Sequence, residues 1–190
     1  VNDAPEIDGT ATVDEDAGAQ VITDFIIPGP EDSDTNENSQ NMTITVNSVT
    51  NSTLFTAGGQ PTIGNDGVLR FTPEDDQFGT STVNFTATDD GGTADSGVDT
   101  TGPTNFTITV NTVNDQPTGT IPLTSGGALT INEDSGARNL TDFVTDIDRG
   151  DETTRDNEAG QDITFTLAQT GGTQTNMFTT FPTLTVQGGD

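Results

Sequence analysis

The 190-residue chain contains no cysteine, histidine, lysine, tryptophan or tyrosine. Each absence closes a class of chemistry. Without cysteine there is neither a disulfide nor a thiolate metal site. Without histidine the commonest general base and transition-metal ligand is missing. Without lysine there is no Schiff base and no lysine–asparagine or lysine–aspartate cross-link. Without tryptophan and tyrosine the usual stacking platforms for sugars are gone. Positive charge is scarce as well: four Arg stand against 31 Asp plus Glu, a formal charge of −27. Such a surface repels a phosphate backbone and an anionic bilayer, which excludes nucleic acid as a partner. No apolar run approaches the roughly 20 residues of a membrane span, so membrane insertion is not expected. No signal peptide is visible, and the chain reads as a mature fragment or an internal piece.

What is present is repetition. Val1-Asn2-Asp3-Ala4-Pro5 returns as Val113-Asn114-Asp115-Gln116-Pro117. Glu15-Asp16-Ala17-Gly18-Ala19 is echoed by Glu133-Asp134-Ser135-Gly136-Ala137, and Thr23-Asp24-Phe25 by Thr141-Asp142-Phe143. A fixed internal period marks a tandem array. The first module is read as residues 1–114 and the second as residues 115–190. Residues 178–190 align with residues 55–67, and counterparts of residues 68–112 are not in the sequence. The second sandwich is therefore expected to be open. A boundary of the chain explains this, or strands from another copy complete the sheet.

Apolar content is 28%, low enough to suggest disorder alongside this charge. Periodicity argues otherwise. Val83, Phe85 and Ala87 alternate with Thr and Asn, as do Phe106, Ile108 and Val110, then Met42, Ile44 and Val46. Leu69 with Phe71 and Ala11 with Val13 follow the same habit. So do Leu129 with Ile131, then Ile163, Phe165 and Leu167, then Leu184 with Val186. Period-two alternation reads as strands with one buried face. Clusters such as Pro28-Gly29-Pro30, Gly64-Asn65-Asp66-Gly67 and Asp89-Asp90-Gly91-Gly92 separate the runs as turns. No helical stripe is found. The expected fold class is all-β: tandem immunoglobulin-like antiparallel sandwiches of about seven strands each.

The acids gather in loops and module ends: Glu15-Asp16, Glu31-Asp32-Ser33-Asp34, Glu74-Asp75-Asp76, Asp89-Asp90, Asn114-Asp115, Glu133-Asp134 and Asp146-Ile147-Asp148. Bare carboxylate pairs repel, and such self-repulsion opposes a compact state. Calcium, a hard cation taking six to eight oxygens, is the matching counter-ion. Asp32-Ser33-Asp34-Thr35-Asn36 fails as an EF-hand loop, because Glu37 stands where Gly is required and Thr43 where Glu is required.

On these residues the chain resembles cadherins and, more closely, the cadherin-like repeats of bacterial and archaeal surface proteins and large adhesins. Glu15-Asp16-Ala17-Gly18 resembles the Glu-x-x-Gly segment. Asp32-Ser33-Asp34 and Asp146-Ile147-Asp148 resemble Asp-x-Asp. Ala87-Thr88-Asp89-Asp90-Gly91 resembles Ala-x-Asp-x-x-Gly with Gly one place early, and Val113-Asn114-Asp115-Gln116-Pro117 resembles the linker, one residue short. Phe71-Thr72-Pro73 with Phe78-Gly79 is typical of the microbial repeats. Glu74-Asp75-Asp76 stands where cadherins carry Asp-Arg-Glu, without the Arg.

The resemblance implies calcium at module junctions. Between the copies the ligands would be Glu15 with Asp16, Glu74 or Asp75, Asn114, Asp115, Asp146 and Asp148. At the start of the first module they would be Asn2, Asp3, Asp32, Asp34 and Asp89. Glu133 and Asp134 would face the next junction. The implied function is a structural calcium-binding repeat of an extracellular, cell-surface adhesin stalk or filament, not an enzyme. Its partners would be neighbouring repeats, and other copies through strand complementation or calcium bridging. The alternatives are a carbohydrate-binding accessory module of a secreted polysaccharide-degrading enzyme, or a calcium-dependent homophilic adhesion module. Glycosylation sequons stand at Asn41, Asn51, Asn84, Asn105 and Asn139.

Overall fold

A computed structural model describes residues 1–29, 37, 39–122, 129–150, 160–168 and 178–185. Two compact units divide at Val113 and Asn114. The first unit is an immunoglobulin-like β-sandwich. Its four-stranded sheet runs in the order β2 (Ala11–Asp14), β9 (Thr100–Asn111), β8 (Gly79–Thr88), β5 (Thr43–Val49). The facing sheet is β3 (Gln20–Ile22), β7 (Leu69–Phe71), β6 (Thr62–Ile63). A short pair, β1 (Glu6–Ile7) with β4 (Ile26–Ile27), sits beside them.

One pairing departs from the antiparallel expectation. β2 runs parallel to β9, with Ala11 opposite Ile108 and Val13 opposite Val110. The remaining ladders of the unit are antiparallel. Helix is confined, among the described residues, to the 3-10 turns Ser52–Leu54 and Ala94–Ser96. Among those residues no helix is long and apolar enough to cross a membrane.

The alternation of β8 explains the core. Val83, Phe85 and Ala87 are fully buried, while Thr82, Asn84, Thr86 and Thr88 point the other way. Ile108 and Val110 of β9 and Leu69 and Phe71 of β7 meet them from both sheets. The rings interlock edge-on: Phe106 lies 4.7 Å from Phe25 and 5.8 Å from Phe85 between centroids. Such pairs add to the burial of the rings themselves. The β6–β7 turn docks onto this core through Gly67. Its carbonyl accepts the N–H of both Phe25 (3.1 Å) and Ile26 (3.0 Å), and its φ is +72°. A Cβ there would stand 2.0 Å from the Ile26 carbonyl oxygen, so only glycine fits.

The outer face of the four-stranded sheet carries Thr and Asn. Asn47 Nδ2 donates to Asn84 Oδ1 (2.9 Å), and Asn84 Nδ2 donates to Asn105 Oδ1 (2.7 Å) and to the Thr104 carbonyl (3.2 Å). This amide ladder ties three strands together and engages the Asn84 amide of that sequon. Asn84→Ala is expected to lower stability by about 1 kcal/mol, the net worth of a hydrogen bond plus its disturbed neighbours. Urea unfolding followed by far-UV circular dichroism measures it, and an unchanged midpoint would show that the ladder contributes nothing.

The second unit pairs β10 (Thr118–Thr120) antiparallel with β11 (Thr145–Asp148). Its turns reproduce those of the first. Asp16 and Asp134 have φ of 62° and 57°, Gly18 and Gly136 of 68° and 71°, Asp24 and Asp142 of 54° and 56°. The strands expected at Leu129 with Ile131, over Ile163 to Leu167, and at Leu184 are not formed; Val186 lies outside the described residues. In the first unit, β2 pairs with β9 and β5 with β8. Counterparts of β8 and β9, these two partners, and of β7, the partner of β6, are not in the given sequence, so these segments have no ladder to join. Leu129, Ile131 and Leu167 are accordingly exposed.

Candidate functional site

Charge is segregated in the first unit. Its strands carry only Glu6, Asp14 and Arg70, and the other described charges lie in loops at the ends of the sandwich. Two poles result.

The first pole forms where β8 ends and the chain enters β1. Asn2 is 7% exposed, and both ends of its carboxamide are engaged. Nδ2 donates to Asp89 Oδ1 (2.9 Å) and to the Val98 carbonyl (2.7 Å), and Oδ1 accepts from Gln40 Nε2 (2.7 Å). Gly91 leaves room for this side chain, since a Cβ there would lie 1.8 Å from Asn2 Oδ1. Asp89 is 5% exposed. Its Oδ1 also accepts the Gly91 N–H at 2.9 Å. Its Oδ2, like Oε1 of Gln40, is buried without a hydrogen-bond partner among the described residues. A buried carboxylate oxygen lacking a donor is costly and calls for a cation or water.

Asp3 offers its N–H to Glu37 Oε1 at 2.8 Å, and Glu37 is itself buried. Asp90 is clamped by Asn41, whose N–H and Nδ2 donate to its two oxygens at 2.9 and 2.8 Å. The Asn41 side-chain amide, then its backbone N–H, hold the Asp90 carboxyl below its ordinary value. Asp32 and Asp34 lie outside the described residues.

The second pole forms where β2 and β9 end side by side. Parallel pairing brings Glu15 to the exit of β9, where its N–H donates to the Asn111 carbonyl (2.9 Å) and its Oε1 accepts the Val113 N–H (2.7 Å). Glu15 is 3% exposed. Next to it in sequence, Asp16 is exposed in a left-handed turn. Its Oδ1 accepts the Asp76 N–H at 3.4 Å, and carboxylate oxygens of Asp16 and Asp76 lie within 4.8 Å of each other. Glu74 and Asp75, the residues named from the sequence, are exposed in the same turn.

In the second unit, Asn114 donates from Nδ2 to the Asp115 carbonyl (2.9 Å) and accepts at Oδ1 from Gln161 Nε2 (3.0 Å). Asp146, with φ of 49°, accepts from Thr145 Oγ1 (3.1 Å), and Asp148 accepts the Gly150 N–H (2.9 Å). Both acids line an open hollow of about 420 Å³ with Thr118, Gly119 and Thr120. Glu133 and Asp134 are exposed. Glu133 differs from its counterpart Glu15 because no β9 equivalent lies beside it.

Glu37 and Gln40 belong to the first pole and were not legible as such, while Asp76 was seen in the Glu74-Asp75-Asp76 cluster without being singled out as a ligand. The repeat held a signal for one of them: Gln40-Asn41-Met42-Thr43 aligns with Gln161-Asp162-Ile163-Thr164.

Residues 2–101 match the family model of a bacterial Ig domain. No curated protein and no solved structure matches the chain.

Proposed function

The chain belongs to the bacterial Ig domain family, and on that premise we propose that it is a structural repeat of an extracellular bacterial surface protein, an adhesin stalk or filament, whose acidic poles bind calcium. The family's fold hosts structural modules, and we assign this chain no catalytic chemistry. The cadherin-like reading of the motifs is part of this proposal.

The observation that carries it is Asp89. A carboxyl group at 5% exposure keeps one oxygen without a hydrogen-bond partner among the described residues, at the end of β8. Asp3 and Glu37 lie at the same pole, and we add Asp32 and Asp34 as ligands from the sequence. At the opposite pole we assign Glu15, Asp16 and Asp76, with Glu74 and Asp75 as outer carboxylates. In the second unit we assign Asp115, Asp146 and Asp148, with Glu133 and Asp134 at its far end. The Asn2 and Asn114 carboxamides take hydrogen bonds within their own units, and we assign both asparagines a place beside the acids that hold the cation.

The mechanism is electrostatic. Carboxylates held together by the fold repel until an ion bridges them, and bridged loops stiffen successive modules. Isothermal titration of the 190-residue chain with calcium tests this. We expect dissociation constants of about 10⁻⁴–10⁻³ M, the range of extracellular modules. Asp89→Asn is expected to weaken one class of site by roughly tenfold or more, and Asp76→Asn to leave that class unchanged. No heat of binding with calcium in the wild-type chain would end the proposal.

A further inference from the structure

The same hydrogen bond recurs in both units. Gln40 Nε2 donates to Asn2 Oδ1 at 2.7 Å, and Gln161 Nε2 donates to Asn114 Oδ1 at 3.0 Å. The two asparagines are equivalent in the repeated Val-Asn-Asp segment, and the two glutamines are equivalent in the repeated Gln-x-x-Thr segment. A bond reproduced at equivalent positions, with partners 38 and 47 residues apart in sequence, is a feature of the repeat.

We propose that the linker asparagine is a latch that fastens each linker to the module following it, and that it does so without a metal ion. The first unit shows the seat in full. Both amide hydrogens of Asn2 are used, on Asp89 Oδ1 and the Val98 carbonyl. Its carbonyl oxygen takes the Gln40 amide, and its main-chain oxygen takes the Val98 N–H at 2.8 Å. Gly91 is the floor of the seat, because any side chain there would occupy the space of the carboxamide. The seat selects asparagine chemically. It presents two acceptors, a carboxylate and a carbonyl, to one end of the side chain, and a donor to the other. Only a carboxamide matches that order. An aspartate of the same shape would set an anionic oxygen against Asp89 and Val98, leaving three acceptors facing one another.

This goes beyond calcium binding and is separable from it. Were Asn2 a side-chain ligand for calcium, Asn2→Asp would add charge to the site and tighten it. As a latch it is worse than truncation. The test uses the 190-residue chain, first in EDTA and then in calcium. It compares wild type with Asn2→Ala, Asn2→Asp and Gln40→Ala by hydrogen exchange at the Val98 amide, whose acceptor is Asn2. We expect exchange to rise about tenfold or more in Asn2→Ala, since a buried acceptor and donor lose their partner. A larger rise is expected in Asn2→Asp and a smaller one in Gln40→Ala. In the second unit, Gln161→Ala and Asn114→Ala should each lower the urea midpoint, and the double variant should add little to either. The inference is overturned if Asn2→Asp exchanges like wild type in EDTA or binds calcium more tightly. It is also overturned if the two second-unit variants are additive. Calcium titration of the Gln40→Ala chain reads the metal proposal independently, because loss of the latch leaves the acids of the second pole in place.

Discussion

Saturating calcium is expected to raise the melting temperature of the chelator-treated chain by roughly 10–15 °C for each fully occupied site in the first unit. The size follows from mass action. A ligand at about 100 times its dissociation constant stabilises the folded state by about 2.7 kcal/mol. For a domain of this length, 1 kcal/mol moves the midpoint by about 4–5 °C. With a dissociation constant of about 10⁻⁴ M, roughly 10 mM calcium is enough. Two controls separate specific binding from general screening. Monovalent salt at matched ionic strength shortens the Debye length and relieves some of the repulsion of a −27 chain. Its effect is expected to be a small part of the calcium effect. Magnesium demands near-ideal octahedral geometry and dehydrates reluctantly, so it should substitute poorly. Circular dichroism is the right probe, since the chain has no Trp or Tyr to report by fluorescence. A midpoint that moves equally with calcium, magnesium and matched salt would reduce the poles to solvated surface.

The fold was readable where a rule of period two applies. Val83, Phe85 and Ala87 could be placed inward from alternation alone, because a strand has two faces and one is buried. The repeat was equally plain, and the paired left-handed turns at Asp16 and Asp134 follow from it. The parallel pairing of β2 with β9 was hidden. Alternation states which face of a strand is buried and says nothing about the direction of its neighbour. The missing strands of the second unit show the same limit from the other side. Ile163, Phe165 and Leu167 alternate as well as β5 does, yet a strand exists only where a second strand accepts its hydrogen bonds.

The poles were half legible. Clusters of Asp and Glu announce themselves, so Asp89, Glu15 and Asp16 could be named. Their hydrogen-bond partners could not, because Asn2 meets Asp89 across 87 residues and Glu15 meets Val113 across 98. Glu37 stands alone in a polar loop and Gln40 is an unremarked amide. Only the folded chain reveals that each is spent on one residue of the N-terminal segment. Nor could the hydrogen bonds that the Asn2 side chain makes to Asp89, Val98 and Gln40 be read from its place in the linker.

Phe85→Ala is expected to cost about 3–5 kcal/mol, the usual range for truncating a buried aromatic. Several features put it at the upper part of that range. Phe85 is fully buried at the centre of β8, between β5 and β9. Its ring packs edge-on against Phe106, which in turn packs on Phe25, so its loss leaves a cavity bounded by strands that cannot collapse without breaking ladders. Set against the 5–15 kcal/mol stability of ordinary domains, the loss is a large fraction of the whole. Urea unfolding by circular dichroism measures it, with Asn84→Ala, one residue away on the opposite face, as the reference. A loss below about 1 kcal/mol would mean that the β8 alternation does not build the core. The same experiment repeated in calcium separates the two sources of stability. Phe85 contacts no acid of either pole among its described partners, so its cost should be the same with and without the ion. Asp89→Asn should do the reverse: once its lone oxygen needs no counter-ion, the variant should lose the first pole's share of the calcium stabilisation while keeping its calcium-free stability. Core and poles then act as independent terms, and additivity between Phe85→Ala and Asp89→Asn in calcium is the quantitative form of that independence.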